Sequence, residues 1–120
     1  MFTLILALVG CGLFTTAEGK WEGTCTSSGY SINAVLDISD DKGGDLTGDF
    51  TLSGSGNMLT MSGDGTRDGT SIDMDLPLSQ SGYTLDTTFT GEMDGDTLTG
   101  TWGYSASGYS ASVPCELTRN

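Results

Sequence analysis

The chain has 120 residues, 19 of them glycine, and sixteen acids against four cations give a net charge of −12 with no histidine. The length is that of one domain, and so few Lys and Arg exclude a nucleic-acid footprint and argue against electrostatic adhesion to anionic lipid. Without histidine, neither a Ser-His-Asp nor a Cys-His arrangement can form, and the commonest transition-metal ligand is missing.

The first element is the apolar run Phe2–Val9 (FTLILALV), too short to span a bilayer as a helix. It leads into Leu8-Val9-Gly10-Cys11. This resembles the bacterial lipobox: Leu, a small or aliphatic residue, Gly or Ala, then Cys. The resemblance implies that residues 1–10 are a signal peptide, that Cys11 becomes the diacylglycerol-bearing first residue, and that 11–19 form a short tether. Gly12 stands where an Asp would signal inner-membrane retention, so an outer-membrane address is implied. No Lys or Arg precedes the apolar run. The other reading is an ordinary secretory peptide cut after Ala17, leaving a periplasmic or secreted protein. Both readings export the chain.

From Lys20 onward apolar and polar residues alternate, and Gly, Ser, Asn and Asp clusters break the runs. This pattern predicts eight strands, at 20–26, 32–39, 45–53, 58–65, 70–79, 83–93, 97–105 and 108–118. The short turns favour sequential antiparallel neighbours. Side chains alternate across a strand, so parity assigns an inner face. It carries Trp21, Gly23 and Cys25, then Ile32 to Ile38, Leu46 to Leu52, and Leu59, Met61 and Gly63. It continues through Ile72 to Leu78, then Tyr83, Leu85, Phe89, Gly91 and Met93, then Leu98 to Tyr104 and Tyr109 to Leu117. This face holds no formal charge. Eight sequential strands with one apolar face must bury it on itself, and a closed up-and-down β-barrel over 20–118 does so while removing the sheet edges.

Hairpin pairing supports this arrangement. Leu52 opposite Leu59 brings Phe50 to Met61 and Gly48 to Gly63. Met93 opposite Leu98 brings Gly91 to Gly100 and Phe89 to Trp102. The phrase Leu-Thr-Gly-x-aromatic occurs at Leu46–Phe50 and Leu98–Trp102, placing inward glycines where strands must coil. Of three cysteines, lipidation of Cys11 would leave Cys25 and Cys115 on the first and last strands. They become neighbours only if the barrel closes, and in an oxidising compartment they would form a disulfide across the seam. Two free buried thiols are the alternative.

An eight-stranded barrel is just wide enough for its own side chains or one small ligand. The candidate cavity lining is Trp21, Phe50, Met61, Phe89, Trp102 and Tyr104; the same residues would otherwise be solid core. On the outer face, pairing Leu78 with Tyr83 would set Asp75 opposite Asp86. With Asp73 these make a candidate calcium site, because hard cations take clustered oxygens; a solvated acidic face is the alternative. A carboxylate hydrolase needs paired acids in a cleft, and every acid is expected on a turn, the outer face or the tail. No cofactor is expected.

The plan resembles calycin-type barrels such as lipocalins, and Gly19-Lys20-Trp21 is similar to the lipocalin Gly-x-Trp and to the opening of avidins. The later tryptophans of avidins have no counterparts, so biotin binding is not carried over. Ser53–Gly56 (SGSG) is similar to the inhibitory loop of the membrane-bound lysozyme inhibitors, also lipoprotein barrels, but Asn57 and Met58 stand next where that family has Lys or Arg and Tyr. The expectation is a monomeric, lipid-anchored, non-enzymatic envelope module that binds a small apolar ligand or a cationic protein partner. The alternatives are a structural lipoprotein with a solid core, and an acidic inhibitor of a cationic hydrolase such as lysozyme.

Overall fold

The computed structural model describes residues 16–119 except 55, 81, 82 and 107, with backbone alone at 30, 79, 80, 83, 84, 106 and 109. The lipobox and Cys11 lie outside the described residues. Nine strands succeed one another in chain order: β1 (Gly19–Ser27), β2 (Tyr30–Lys42), β3 (Asp45–Gly54), β4 (Asn57–Asp68) and β5 (Ser71–Asp75). After them come β6 (Leu78–Gln80), β7 (Tyr83–Asp94), β8 (Thr97–Ala106) and β9 (Tyr109–Arg119). Successive strands pair antiparallel except β5 and β6, which both pair with β7, and β9 pairs with β1, closing the ring.

β5 and β6 are one strand of an eight-stranded barrel, interrupted. Both pair with β7 in a single register. The Leu76 N–H still reaches the Thr87 carbonyl at 2.8 Å. Pro77 then has no N–H to give, so the ladder breaks there.

The parity reading of the wall holds. Trp21, Leu36, Phe50, Met61, Met74, Phe89 and Leu98 are buried inside, and the outer face is polar. Leu52 pairs with Leu59 and Gly48 with Gly63; Met93 pairs with Leu98 and Gly91 with Gly100. The paired glycines sit where neighbouring backbone crowds the wall. A Cβ on Gly63 would lie 1.9 Å from the Asp75 carbonyl oxygen. At Gly100 a Cβ would meet the Phe89 ring at 2.7 Å. The aromatic that fills the gap at Gly100 therefore comes from the facing strand, a diagonal cross-strand contact.

Cys25 and Cys115 are directly paired and disulfide-bonded, with Cα atoms 4.0 Å apart. They occupy the last rung of the β1–β9 ladder, which runs from Trp21–Arg119 to Cys25–Cys115. Pro114 takes the position after that and offers no N–H. The disulfide thus holds the seam where hydrogen bonding stops.

Three expectations need correction. The β6–β7 ladder pairs Leu78 with Leu85, not with Tyr83. Asp75 therefore faces Thr88 on β7 and Asp64 on β4, while Asp86 faces Ser105 on β8. The inner face also carries charge. A bulge between Ile38 and Asp40 sets two residues against Thr47, which flips the parity of β2 and turns Asp41 inward opposite Leu46. In addition β4 runs to Asp68, beyond the expected 65, so Arg67 falls on the inward parity. One acid, Asp41, is thus enclosed instead of lying on a turn, the outer face or the tail.

Candidate functional site: the two ends of the barrel

The two ends of the barrel are built differently. At the end bearing the β2–β3, β4–β5 and β7–β8 turns, charge and backbone close the opening. The Asp41 side chain is 1% exposed and takes a two-point ion pair from Arg67, Nε to Oδ2 at 2.6 Å and Nη2 to Oδ1 at 3.3 Å. The Ala17 and Gly44 N–H groups also donate to this carboxylate, at 2.8 and 2.9 Å. Burial pushes the Asp41 pKa up, but the Arg67 hydrogen bond, the two backbone donors and the Arg67 charge together outweigh it. Asp41 is therefore held below the ordinary aspartate range.

Arg119 completes the seal. Its guanidinium lies over the Trp21 ring, 4.2 Å from the centroid, a cation–π contact. Its Nη1 donates to the carbonyls of Thr16 and Glu18 at 2.8 and 2.9 Å, and its Nε meets Asp96 at 3.2 Å. Ala17 is fully buried, and its carbonyl accepts the Trp21 indole N–H at 2.9 Å. Residues 16–18, at the end of the expected tether, thus pack across this opening. Backbone bonds from Arg67 to Gly44, Met93 to Thr70 and Arg119 to Asp96 join successive turns around the rim.

The opposite end lies toward the β1–β2, β3–β4, β6–β7 and β8–β9 connections, and there the inner wall loosens. Ile32, Leu59, Leu78, Leu85 and Tyr104 are half-buried there, and Met58, beside Leu59 on the outer face of β4, is 74% exposed. An aromatic run leads from the core toward this mouth. Phe89 meets Phe50 at 5.4 Å between ring centroids, Phe50 meets Trp102 at 6.4 Å, and Trp102 meets Tyr104 at 5.0 Å. The described side chains lining the mouth carry no charge.

The six expected lining residues therefore separate. Trp21 belongs to the sealed end. Phe50, Met61 and Phe89 are fully buried and fill the middle. Trp102, 8% exposed, and half-buried Tyr104 reach the mouth. The three outer-wall carboxylates are not drawn together: Asp73 faces Thr66 and Thr90, and Asp75 and Asp86 face different partners. Among the described residues no group of three or more Cys, Asp or Glu is arranged to hold a metal. One outer depression, about 710 Å³, is a wide furrow across β4, β5, β7, β8 and β9. Its Glu92 is already engaged by the Thr70 and Ser71 hydroxyls.

The parity list passed over Thr87. It is fully buried on the inner face, and its hydroxyl donates to the Leu76 carbonyl beside the Pro77 break. Its position between Leu85 and Phe89 was the available signal. For Arg67 and Arg119 the signal was their inward parity at strand ends.

No protein-family model and no characterised protein sequence matches the chain. Solved structures do share its fold. The structure of apo Bradavidin2 (Form B) superposes with a TM-score of 0.66 at 17% identity, covering 88% of this chain and 98% of that one. The structure of EF1p2_mFAP2b bound to DFHBI gives a TM-score of 0.64 at 18% identity, covering 86% and 93%. Likeness at this identity is one of architecture: this chain is a closed antiparallel β-barrel of the same form.

Proposed function

We propose that this chain is an exported, non-enzymatic binding module that takes a small apolar ligand at the barrel mouth and is held at the cell envelope by lipid on Cys11. The carrying observation is the asymmetry of the ends. One is shut by the Asp41–Arg67 and Trp21–Arg119 pairs, while the other presents half-buried aliphatic and aromatic side chains without charge. An uncharged, mostly apolar mouth with few polar groups suits small-molecule capture. EF1p2_mFAP2b, which shares the fold, is bound to DFHBI; this lends the reading support by analogy of architecture.

The filled middle of the barrel favours a second reading, a structural envelope protein with no ligand. Native mass spectrometry separates the two. The chain carrying Cys11→Ser, incubated with envelope extract, should retain a small molecule, and Leu59→Lys at the mouth should abolish retention. A chain that emerges bare from every extract supports the structural role. The address is tested by metabolic labelling with a palmitate analogue, which should mark the native chain and not Cys11→Ser.

A further inference from the structure

The two tryptophans of this chain sit at opposite ends of one barrel and differ at the indole N–H. The Trp21 indole N–H is satisfied by the Ala17 carbonyl at 2.9 Å. Trp102 is 8% exposed, and its Nε1 is buried with no hydrogen-bond partner. A buried donor left without an acceptor is costly, and such groups in folded proteins call for an explanation. Here the donor belongs to the side chain where the aromatic run reaches the mouth, between Phe50 and Tyr104. Among the described inner-wall residues toward the mouth, Ile32, Leu52, Leu59, Leu78, Leu85 and Val113 offer no side-chain acceptor, and the Thr87 hydroxyl is turned to the Leu76 carbonyl.

We propose that Trp102 determines the ligand class of the mouth: a neutral, flat, apolar molecule with one hydrogen-bond acceptor, such as a carbonyl or ring nitrogen, that takes the Trp102 indole N–H. This rests on the binding function proposed above and specifies it. Neutrality follows from the uncharged wall, which gives an ionised group no partner once desolvated. Flatness follows from the tilted rings of Phe50, Trp102 and Tyr104, whose faces and edges favour an aromatic neighbour. The acceptor follows from the donor: a ligand lacking one leaves Nε1 unpaired, and sites with buried polar groups discriminate against ligands that fail to satisfy them.

The test uses the full chain with Cys11→Ser, labelled with nitrogen-15, and two probes of matched shape, 2-acetylnaphthalene and 2-ethylnaphthalene. The ketone should bind about tenfold more tightly than the hydrocarbon. It should move the Trp102 indole proton downfield and leave that of Trp21 in place. In Trp102→Phe the probes should bind alike, at the affinity of the hydrocarbon. Equal affinities in the Trp102 chain with an unmoved indole signal would overturn the proposal. So would a long-lived water on the Trp102 indole that persists when the ketone binds. If neither probe binds, the binding function itself fails and the ligand assignment with it; equal binding removes the assignment alone. Because the indole signal is read in the Trp102 chain, poor folding of Trp102→Phe would leave the test intact.

Discussion

Asp41 is an enclosed carboxylate on a strand end that alternation would have turned outward. Its two oxygens are fully engaged by Arg67, Ala17 and Gly44. Asp41→Asn would leave the half-buried Arg67 guanidinium without its counter-charge, and we expect a loss of about 3 kcal/mol in urea denaturation at pH 7. The pH dependence is set by the direction of the shift. The folded pKa lies below the unfolded one, so the stabilisation is complete above the ordinary aspartate value of about 3.9. It drains away as pH falls through the lowered folded value. The gap between the native chain and Asp41→Asn should therefore stay constant from pH 7 to about 5 and narrow below about 4. A gap that widens on acidification would mean that Asp41 does not carry this term. Gly63 gives a second residue-scale prediction, because an added Cβ meets the Asp75 carbonyl oxygen at 1.9 Å. Gly63→Ala should cost about 3 kcal/mol. Gly54→Ala, where nothing lies within 4 Å, should change stability by less than about 0.5 kcal/mol.

Among the elements, alternation was enough to assign the inner face over the apolar run of each strand, because a period of two does not depend on which partner a strand finds. It also survived the register error on β6 and β7. Sliding that pair by two residues keeps Leu78 and Leu85 inside while exchanging their cross-strand partners, so the wall was legible and the opposition of Asp75 to Asp86 was not. The bulge in β2 was illegible for a related reason: one extra residue near Ser39 leaves no compositional mark, yet reverses the parity of the rest of the strand. The sealed end was lost with it, since Asp41, Arg67 and Arg119 lie in the last turns of wall beyond the apolar runs. The β1–β9 seam was legible because two cysteines of inward parity can meet only on a closed ring. Their loop spans 90 positions, for which the chain-entropy model gives about 4–5 kcal/mol. Replacing both by serine should lower stability by that amount in chemical denaturation. Because the ladder stops at the disulfide, hydrogen exchange in the double variant should rise first at Ser27 and Val113, on the mouth side. A loss under about 1 kcal/mol would show that the five rungs from Trp21 to Cys25 hold the seam unaided.

At the scale of the molecule, the route of the N-terminal segment sets an orientation. Thr16, Ala17 and Glu18 are held on the sealed end by Arg119 and Asp41, so the first described residues lie opposite the mouth. From Cys11 to Thr16 is five residues, about 18 Å at full extension. Lipid on Cys11 would therefore hold the sealed end against the bilayer and aim the mouth outward. The length of the wall, ten residues in β3, puts the mouth turns roughly 25 Å farther from the lipid surface after allowing for strand tilt. The net charge of −12 repels an anionic leaflet and would discourage the barrel from lying on its side. Reporter dyes at Lys42→Cys, in the sealed-end turn, and at Met58→Cys, near the mouth, can read this in vesicles containing headgroup-nitroxide lipid. The dye at position 42 should be strongly quenched and that at 58 barely affected, with Cys11→Ser releasing both from the vesicles. Equal quenching would mean that the tether does not set the pose. Stronger quenching at 58 would turn the mouth toward the membrane and make a lipid-borne molecule its natural ligand.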